Sequence, residues 1–370
     1  MELLIFRPEE FERKYNCLNI STDYIPITNR RSPILGSILM ILFIIYYILY
    51  IPCIISFWKH LDNACYKFLF YIGITDLMVL WICGFETAIF GITGAVYCSS
   101  PLLIYISGDL GNAIWAAETV AEAVLAFNRC LDTISPRATS ALFSGKKTWI
   151  WLSIITFYAI YWVFYMPPVL FSSVYFAWFF EPYVGGYKNV TETYSSVLHS
   201  IHNMSLAFFF PICYICFAIF LFIKKRMYGA SNPNQVSNVD LVIILQIFLI
   251  SVINFTAASL YDYMQYAEIN EAMIITATFS WFHVHGFPPV IYLSLNKTIR
   301  NDSKKLFYKI FKKEKITHIN GVTLFVNNKT NNTNKNNRIG DNNNTTNNNR
   351  IIPSTTTITN NNRTTLKQNK

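Results

Sequence analysis

Apolar residues in this chain neither alternate with polar ones nor recur once per helical turn; they come in long unbroken runs. The runs occupy approximately residues 33–58, 66–93, 99–129, 147–172, 200–223, 239–261 and 271–295, separated by short polar connectors. A hydrocarbon core of roughly 30 Å takes about 20 mostly apolar residues as helix, so the pattern predicts seven membrane-spanning helices. Barrel strands would be short and would alternate apolar with polar, whereas a helix satisfies its own backbone inside each continuous run. The opening stretch MELLIFRPEEFERK puts charges where the apolar centre of a signal peptide should lie. No cleavage is therefore expected, and the first run acts as its own signal.

Composition supports this pattern. Of 370 residues, 53% are hydrophobic and 16% aromatic, with 14% charged, which argues against ordinary soluble domains. The expected fold class is an all-α membrane protein, a seven-transmembrane helix bundle. An extracellular N-terminal segment spans 1–32, the bundle 33–295 and an amphipathic juxtamembrane helix 296–318; a disordered Asn/Thr-rich cytoplasmic tail fills 319–370.

Charge placement sets the expected orientation. Lys59 and Lys67 follow the first run, Arg129, Arg137, Lys146 and Lys147 the third, and Lys224, Lys225 and Arg226 the fifth, while a lysine-rich stretch follows the seventh. The opposite connectors hold few basic residues, apart from Arg30 and Arg31 directly before the first run. By the positive-inside rule the N-terminus is outside and the C-terminus cytosolic. The net charge of +9 then reflects topology facing an anionic bilayer surface, not nucleic-acid binding. The stretch NKTIRNDSKKLFYKIFKKEK mixes apolar residues with lysines as an interfacial helix does.

Of eight cysteines, Cys17 and Cys98 alone face the oxidising side on this topology. They are expected to form a disulfide, with two free thiols as the alternative. Asn19 and Asn189 sit in glycosylation sequons on the same side.

Carboxylates inside hydrocarbon are costly and turn toward the bundle interior or water. Asp76 and Glu86 lie in the second run, and Asp109, Glu118 and Glu122 in the third. Glu118, Glu122 and Arg129 recur at four and seven residues and so share one helix face. Antiparallel packing of the second and third helices puts Asp76 and Glu118 at similar depth, where two carboxylates need a shared proton or a cation between them. Plain interhelical hydrogen bonding is the alternative reading of Glu118 and Glu122. His283 and His285 form an HxH pair on opposing sides of a helix, poor geometry for one metal. No enzyme signature is present, and neither a metal nor a cofactor is expected.

Several motifs carry a family resemblance. Asn128, Arg129 and Cys130 resemble the acid-Arg-Tyr triplet of G-protein-coupled receptors. Asp76 resembles their second-span acid and Pro211 their fifth-span proline, while Pro289 with Tyr292 resembles the Asn-Pro-x-x-Tyr motif. More narrowly, KYNCLNIS, RRSPILG, NRCLD, FSSVYFAWFFEPY and HGFPPVIYLSLNKTIR resemble the nematode class T serpentine receptors (Srt), chemoreceptors, over about 10–315. Asn128 in place of the acid and Pro288 in place of the Asn depart from the wider pattern.

The resemblance implies a chemoreceptor that binds a small-molecule ligand and opens its cytoplasmic face to a heterotrimeric G protein, in a cell membrane such as that of a sensory cilium. Pro211 and Pro289 are candidate hinges. With Asn128 uncharged, Asp240 is the candidate partner of Arg129, and Glu118 and Glu122 form a protonatable element between ligand and arginine. The ligand pocket is expected in the outer third, from Glu86, Asp109, Trp115, His199, His202 and Trp281; Asp109 stands about 30 Å above Arg129 at 1.5 Å per residue. A seven-span channel or proton-linked transporter using the intramembrane acids is the other reading.

Overall fold

The computed structural model describes residues 1–18, 20, 22, 25–185, 194–228, 238–266, 270–311, 318–319 and 322–323. They fall into two units, Met1–Lys313 and Glu314–Lys370. The larger begins with three short helices, α1 (Glu2–Phe6), α2 (Pro8–Tyr15) and α3 (Ile27–Arg30), and then turns into long ones. First come α4 (Pro33–Lys59) and α5 (Ala64–Leu80), the latter running through a π-helical segment, Trp81–Glu86, into α6 (Thr87–Thr93). Next are α7 (Pro101–Ile134), the connector helix α8 (Pro136–Phe143) and α9 (Lys147–Tyr165). After a β-hairpin follow α10 (Val197–Tyr228), α11 (Asn238–Tyr266), α12 (Glu271–Gly286), α13 (Pro288–Leu295) and α14 (Lys297–Phe311). Among the described residues, Ile27–Lys59, Ala64–Thr93, Pro101–Ile134, Lys147–Tyr165 and Val197–Phe217 are long and apolar enough to cross a membrane.

The longest helix, α7, is the axis of the bundle and packs against α5, α9, α10 and α11. Its inward positions include Gly108, Gly111, Ala113, Ala116, Ala117 and Ala121, all buried, and such small residues let neighbouring backbones approach closely. By contrast α4 is apolar on all sides; Ile34, Ile41, Ile48 and Ile51 are exposed, as a lipid-facing surface requires.

Two expectations about helix ends are corrected. The fourth run, expected to be helical to 172, leaves the helix at Tyr165 because Pro167 and Pro168 cannot continue it. The chain then forms the hairpin β1 (Leu170–Ser172) and β2 (Ala177–Phe179), antiparallel with Phe171 opposite Trp178. This hairpin lies against α7 and α12. Its close seat requires Gly108, where an added Cβ would stand 1.5 Å from the carbonyl oxygen of Val169. The seventh run, expected continuous over 271–295, breaks at Phe287 ahead of Pro288 and Pro289.

The N-terminal segment is tied down at the same end. A Cys17–Cys98 disulfide closes it, with the Cα atoms 5.4 Å apart. Tyr97 donates to the Tyr15 carbonyl at 3.1 Å, Tyr183 to the carbonyls of Lys14 and Asn16, and Tyr194 to that of Lys14. Asn19 and Asn189 lie outside the described residues. In the second unit, β3 (His318–Ile319) pairs antiparallel with β4 (Val322–Thr323). The intervening sequence is Asn-Gly, a strong hairpin signal, and these residues stand at the start of the expected tail. The rest of the expected tail lies outside the described residues.

At the other end α14 docks on α4. Asp302 accepts from Ser56 Oγ at 2.9 Å and lies 2.9 Å from His60 Nε2. Burial alone would push the Asp302 carboxyl up, but its hydrogen bonds with His60 and Ser56 and the nearby Lys59 outweigh it and hold the carboxyl below its ordinary range. A depressed folded value means the contact contributes fully above the unfolded value of about 4 and is lost as pH falls through the lower folded one. Hydrogen exchange over 297–311 should therefore stay slow at neutral pH and accelerate in strong acid, and Asp302→Asn should accelerate it already at neutral pH. Gly108→Ala should unseat the hairpin, seen as faster exchange over 170–179 with α14 unaffected.

A buried acid and histidine cluster beneath an aromatic cavity

Proline chemistry builds the centre of the bundle. Because Pro289 has no N–H, the carbonyl of His285 loses its usual helical donor four residues on. Tyr50 of α4 fills the gap: its hydroxyl lies 2.9 Å from the His285 oxygen and 2.6 Å from Asp76 Oδ2. Asp76 Oδ1 in turn lies 3.0 Å from His285 Nδ1, and Glu118 Oε2 lies 2.7 Å from the same nitrogen. Side chains from α4, α5, α7 and α12 thus meet at one point, and Tyr50, Asp76, Glu118 and His285 are all 0% exposed. One turn further along α7, Glu122 Oε2 accepts from Asn254 Nδ2 of α11 at 2.5 Å.

No lysine or arginine is bonded to these carboxylates among the described residues. Buried carboxyl groups this close, without a counter-charge, need a proton or a cation. Tyr50 joins the two sides, its one hydroxyl within hydrogen-bond reach of both Asp76 Oδ2 and the His285 carbonyl, while neither oxygen of Glu118 nor Nε2 of His285 has a well-directed partner among the described residues. Asp76, Glu118 and His285 also offer three ligand atoms within 4.8 Å of one another, a donor set that a divalent cation could use.

Next to the cluster lies an open cavity, with about 430 Å³ of non-atom space that includes the solvent at its mouth. Trp115, Trp178 and Trp281 line it, with Tyr261, and His199, Asn112 and Asn203 supply its polar groups. Two of its walls continue into the cluster. Trp281 lies one turn from His285, with the rings 6.3 Å apart, and Trp115 lies one turn from Glu118 and Thr119 on α7.

The structure separates the residues that the sequence suggested for ligand binding. Trp115, His199 and Trp281 line the cavity. His202 sits behind it, bonded through Nε2 to Thr119 and through Nδ1 to the Tyr158 hydroxyl, both at 3.0 Å. Asp109 and Glu86 do not line it. Asp109 turns instead toward the Met1 amino group, 3.5 Å away, and Glu86, at the end of the π-helical segment, has its carboxyl beside Ser107 and Trp81.

The switch candidates also divide. Arg129 is held locally: its Nε and Nη2 donate to Asn128 Oδ1 at 3.0 and 2.7 Å, and Nη1 lies 3.8 Å from Asp132. Asp240 lies in α11, with its side chain outside the described residues. Pro211 is inside α10, and Tyr292 is buried with its ring 5.5 Å from that of Phe57. Sequence reasoning weighed His285 only as half of an HxH pair and did not single out Tyr50 or Asn254. The signal for His285 was present, because Trp281, His285 and Pro289 recur every four residues on one helix face.

Helices of membrane-spanning length around a buried polar centre define an all-α membrane bundle. The family model described as "Serpentine type 7TM GPCR chemoreceptor Srt" matches residues 3–318, and the chain belongs to that family. It is similar to serpentine receptor class T-55 of Caenorhabditis elegans, 27% identical over 250 residues that cover 68% of this chain and 67% of the relative. A multi-pass membrane receptor of the chemoreceptor class follows, with no enzyme family indicated.

The Glu122 contact yields a direct prediction. Asn254→Leu removes a donor from a buried carboxyl group, and leaving such a group unpaired costs about 1–3 kcal/mol. Thermal unfolding in detergent should shift down, and Glu122→Gln combined with Asn254→Leu should not be additive.

Proposed function

We propose that this receptor is a chemoreceptor with seven spans, its N-terminus outside and its C-terminus cytosolic, that binds a small environmental ligand in the Trp-lined cavity and opens its inner face to a heterotrimeric G protein. The continuity of Trp281 with His285 and of Trp115 with Glu118 carries this reading. A ligand that displaces either tryptophan acts, one turn below, on groups whose hydrogen bonds depend on where the protons sit. Arg129 follows Glu118 by eleven residues, about 16 Å along the same helix, so a shift or rotation of α7 reaches it directly.

The broken α12–α13 helix and the proline inside α10 are the places where the two packings can differ, since a switch needs two arrangements close in free energy that the ligand binds unequally. In the resting packing Arg129 is clasped by Asn128 and Asp132, and in the active one it is released toward the G protein. Asp240 retains a role only if it approaches Arg129 in one of the two packings. The glycans at Asn19 and Asn189, the division at 1–32, 33–295, 296–318 and 319–370, and residence in a cell membrane such as a sensory cilium belong to the same reading.

The buried acids also favour a second reading, a proton-linked transporter or channel using Asp76 and Glu118. Receptor in lipid nanodiscs mixed with G protein should accelerate nucleotide exchange when ligand is added, and planar bilayers should carry no ligand-dependent current. Current without exchange would establish the transporter instead. Glu118→Gln should flatten the pH dependence of signalling; a titration identical to that of the unmodified receptor would remove the acids from the mechanism.

A further inference from the structure

We propose that the cavity takes an uncharged, ring-containing molecule bearing an N–H or O–H donor, of the phenol or indole kind, and that Asn203 selects for the donor. The proposal rests on reading this cavity as the ligand site. Its walls set the class. Trp115, Trp178 and Trp281 come from α7, the hairpin and α12 and present aromatic surfaces from three directions, while Val169, Ala257 and Ala258 complete an apolar lining. No lining residue carries a carboxylate, ammonium or guanidinium. A charged ligand would enter without a counter-charge and lose its hydration, whereas a flat neutral ring gains contact with the indoles.

The polar groups narrow the class further. Asn112 Nδ2 is committed to the carbonyl of Pro167 at 3.4 Å. Asn203 Nδ2 faces His199 Nδ1 at 3.3 Å, and among the described residues this leaves Asn203 Oδ1 buried with no partner, on a residue 2% exposed. Nearly all buried polar atoms have a partner, and an amide oxygen can only accept. The missing partner is a donor, and the occupant brings it by opening a way to this oxygen, which the surrounding side chains close off from the cavity. A ring whose N–H reaches this oxygen while its face meets the tryptophans satisfies both demands. The same ring with a methyl in place of that hydrogen leaves the oxygen unpaired and crowds it.

Receptor in lipid nanodiscs, labelled with a diazirine-bearing phenol probe and mapped by mass spectrometry, tests this. The probe should label peptides containing Trp115 or Trp281. Phenol and indole should compete, with N-methylindole about tenfold weaker or worse. Acetophenone, which only accepts, and the anion indole-3-acetate should compete poorly. Asn203→Leu should bring indole and N-methylindole to within about twofold of each other.

Equal competition by indole and N-methylindole in the unmodified receptor would mean that water satisfies the oxygen, and would overturn the proposal while leaving the cavity as the ligand site. Best competition by acetophenone or by the anion would overturn it as well. Absence of label from the cavity would overturn the ligand-site reading and this proposal with it. The unmodified-receptor series decides even if Asn203→Leu fails to fold.

Discussion

A carboxyl group in the middle of a hydrocarbon slab must find a partner inside the protein, because lipid offers none. In this receptor that constraint organises the bundle's centre. Asp76, Glu118 and His285 come from three helices and can meet only if those helices pack closely, and Tyr50 brings in a fourth. The small residues along α7 permit the approach. The missing N–H of Pro289 supplies the carbonyl that Tyr50 needs. Fold and chemistry are therefore not separate problems here: the break that weakens α12 as a helix creates the acceptor that joins it to α4.

Much of the architecture could be read from apolar runs, since burial in lipid demands long continuous segments and leaves a strong signature. The depth of Asp76 and Glu118 was legible for the same reason. Other features were not. Pro167 and Pro168 end α9 early, yet the apolar run continues past them because β1 and β2 are themselves buried; hydropathy does not distinguish a spanning helix from a buried hairpin. Glu86 and Asp109 were grouped with the cavity by depth alone. Depth does not fix direction: the first stands beside Ser107 and Trp81 and the second beside the Met1 amino group.

Arg129 shows what a motif alone leaves open. A neutral residue in place of the expected acid suggests a search for a distant partner, and Asp240 was the nearest candidate by topology. In the folded chain the Asn128 side-chain oxygen accepts two of the guanidinium hydrogens, and Asp132 lies one turn further on. The amide thus performs part of the acid's work with a weaker hold. A hold that lacks a full charge is easier to release, which suits a switch whose two states must lie within a few kcal/mol of each other.

Three demands converge on the cluster: it must stay paired in a low dielectric, join four helices and lie one turn beneath the cavity. The central claim is that its carboxyl groups meet the first demand by retaining a proton. Infrared difference spectroscopy of the purified receptor at neutral pH tests this directly. A protonated carboxyl band should be present, should shift in deuterium oxide and should be lost or displaced in Asp76→Asn or Glu118→Gln. A spectrum containing only ionised carboxylates, unchanged by either substitution, would contradict the account.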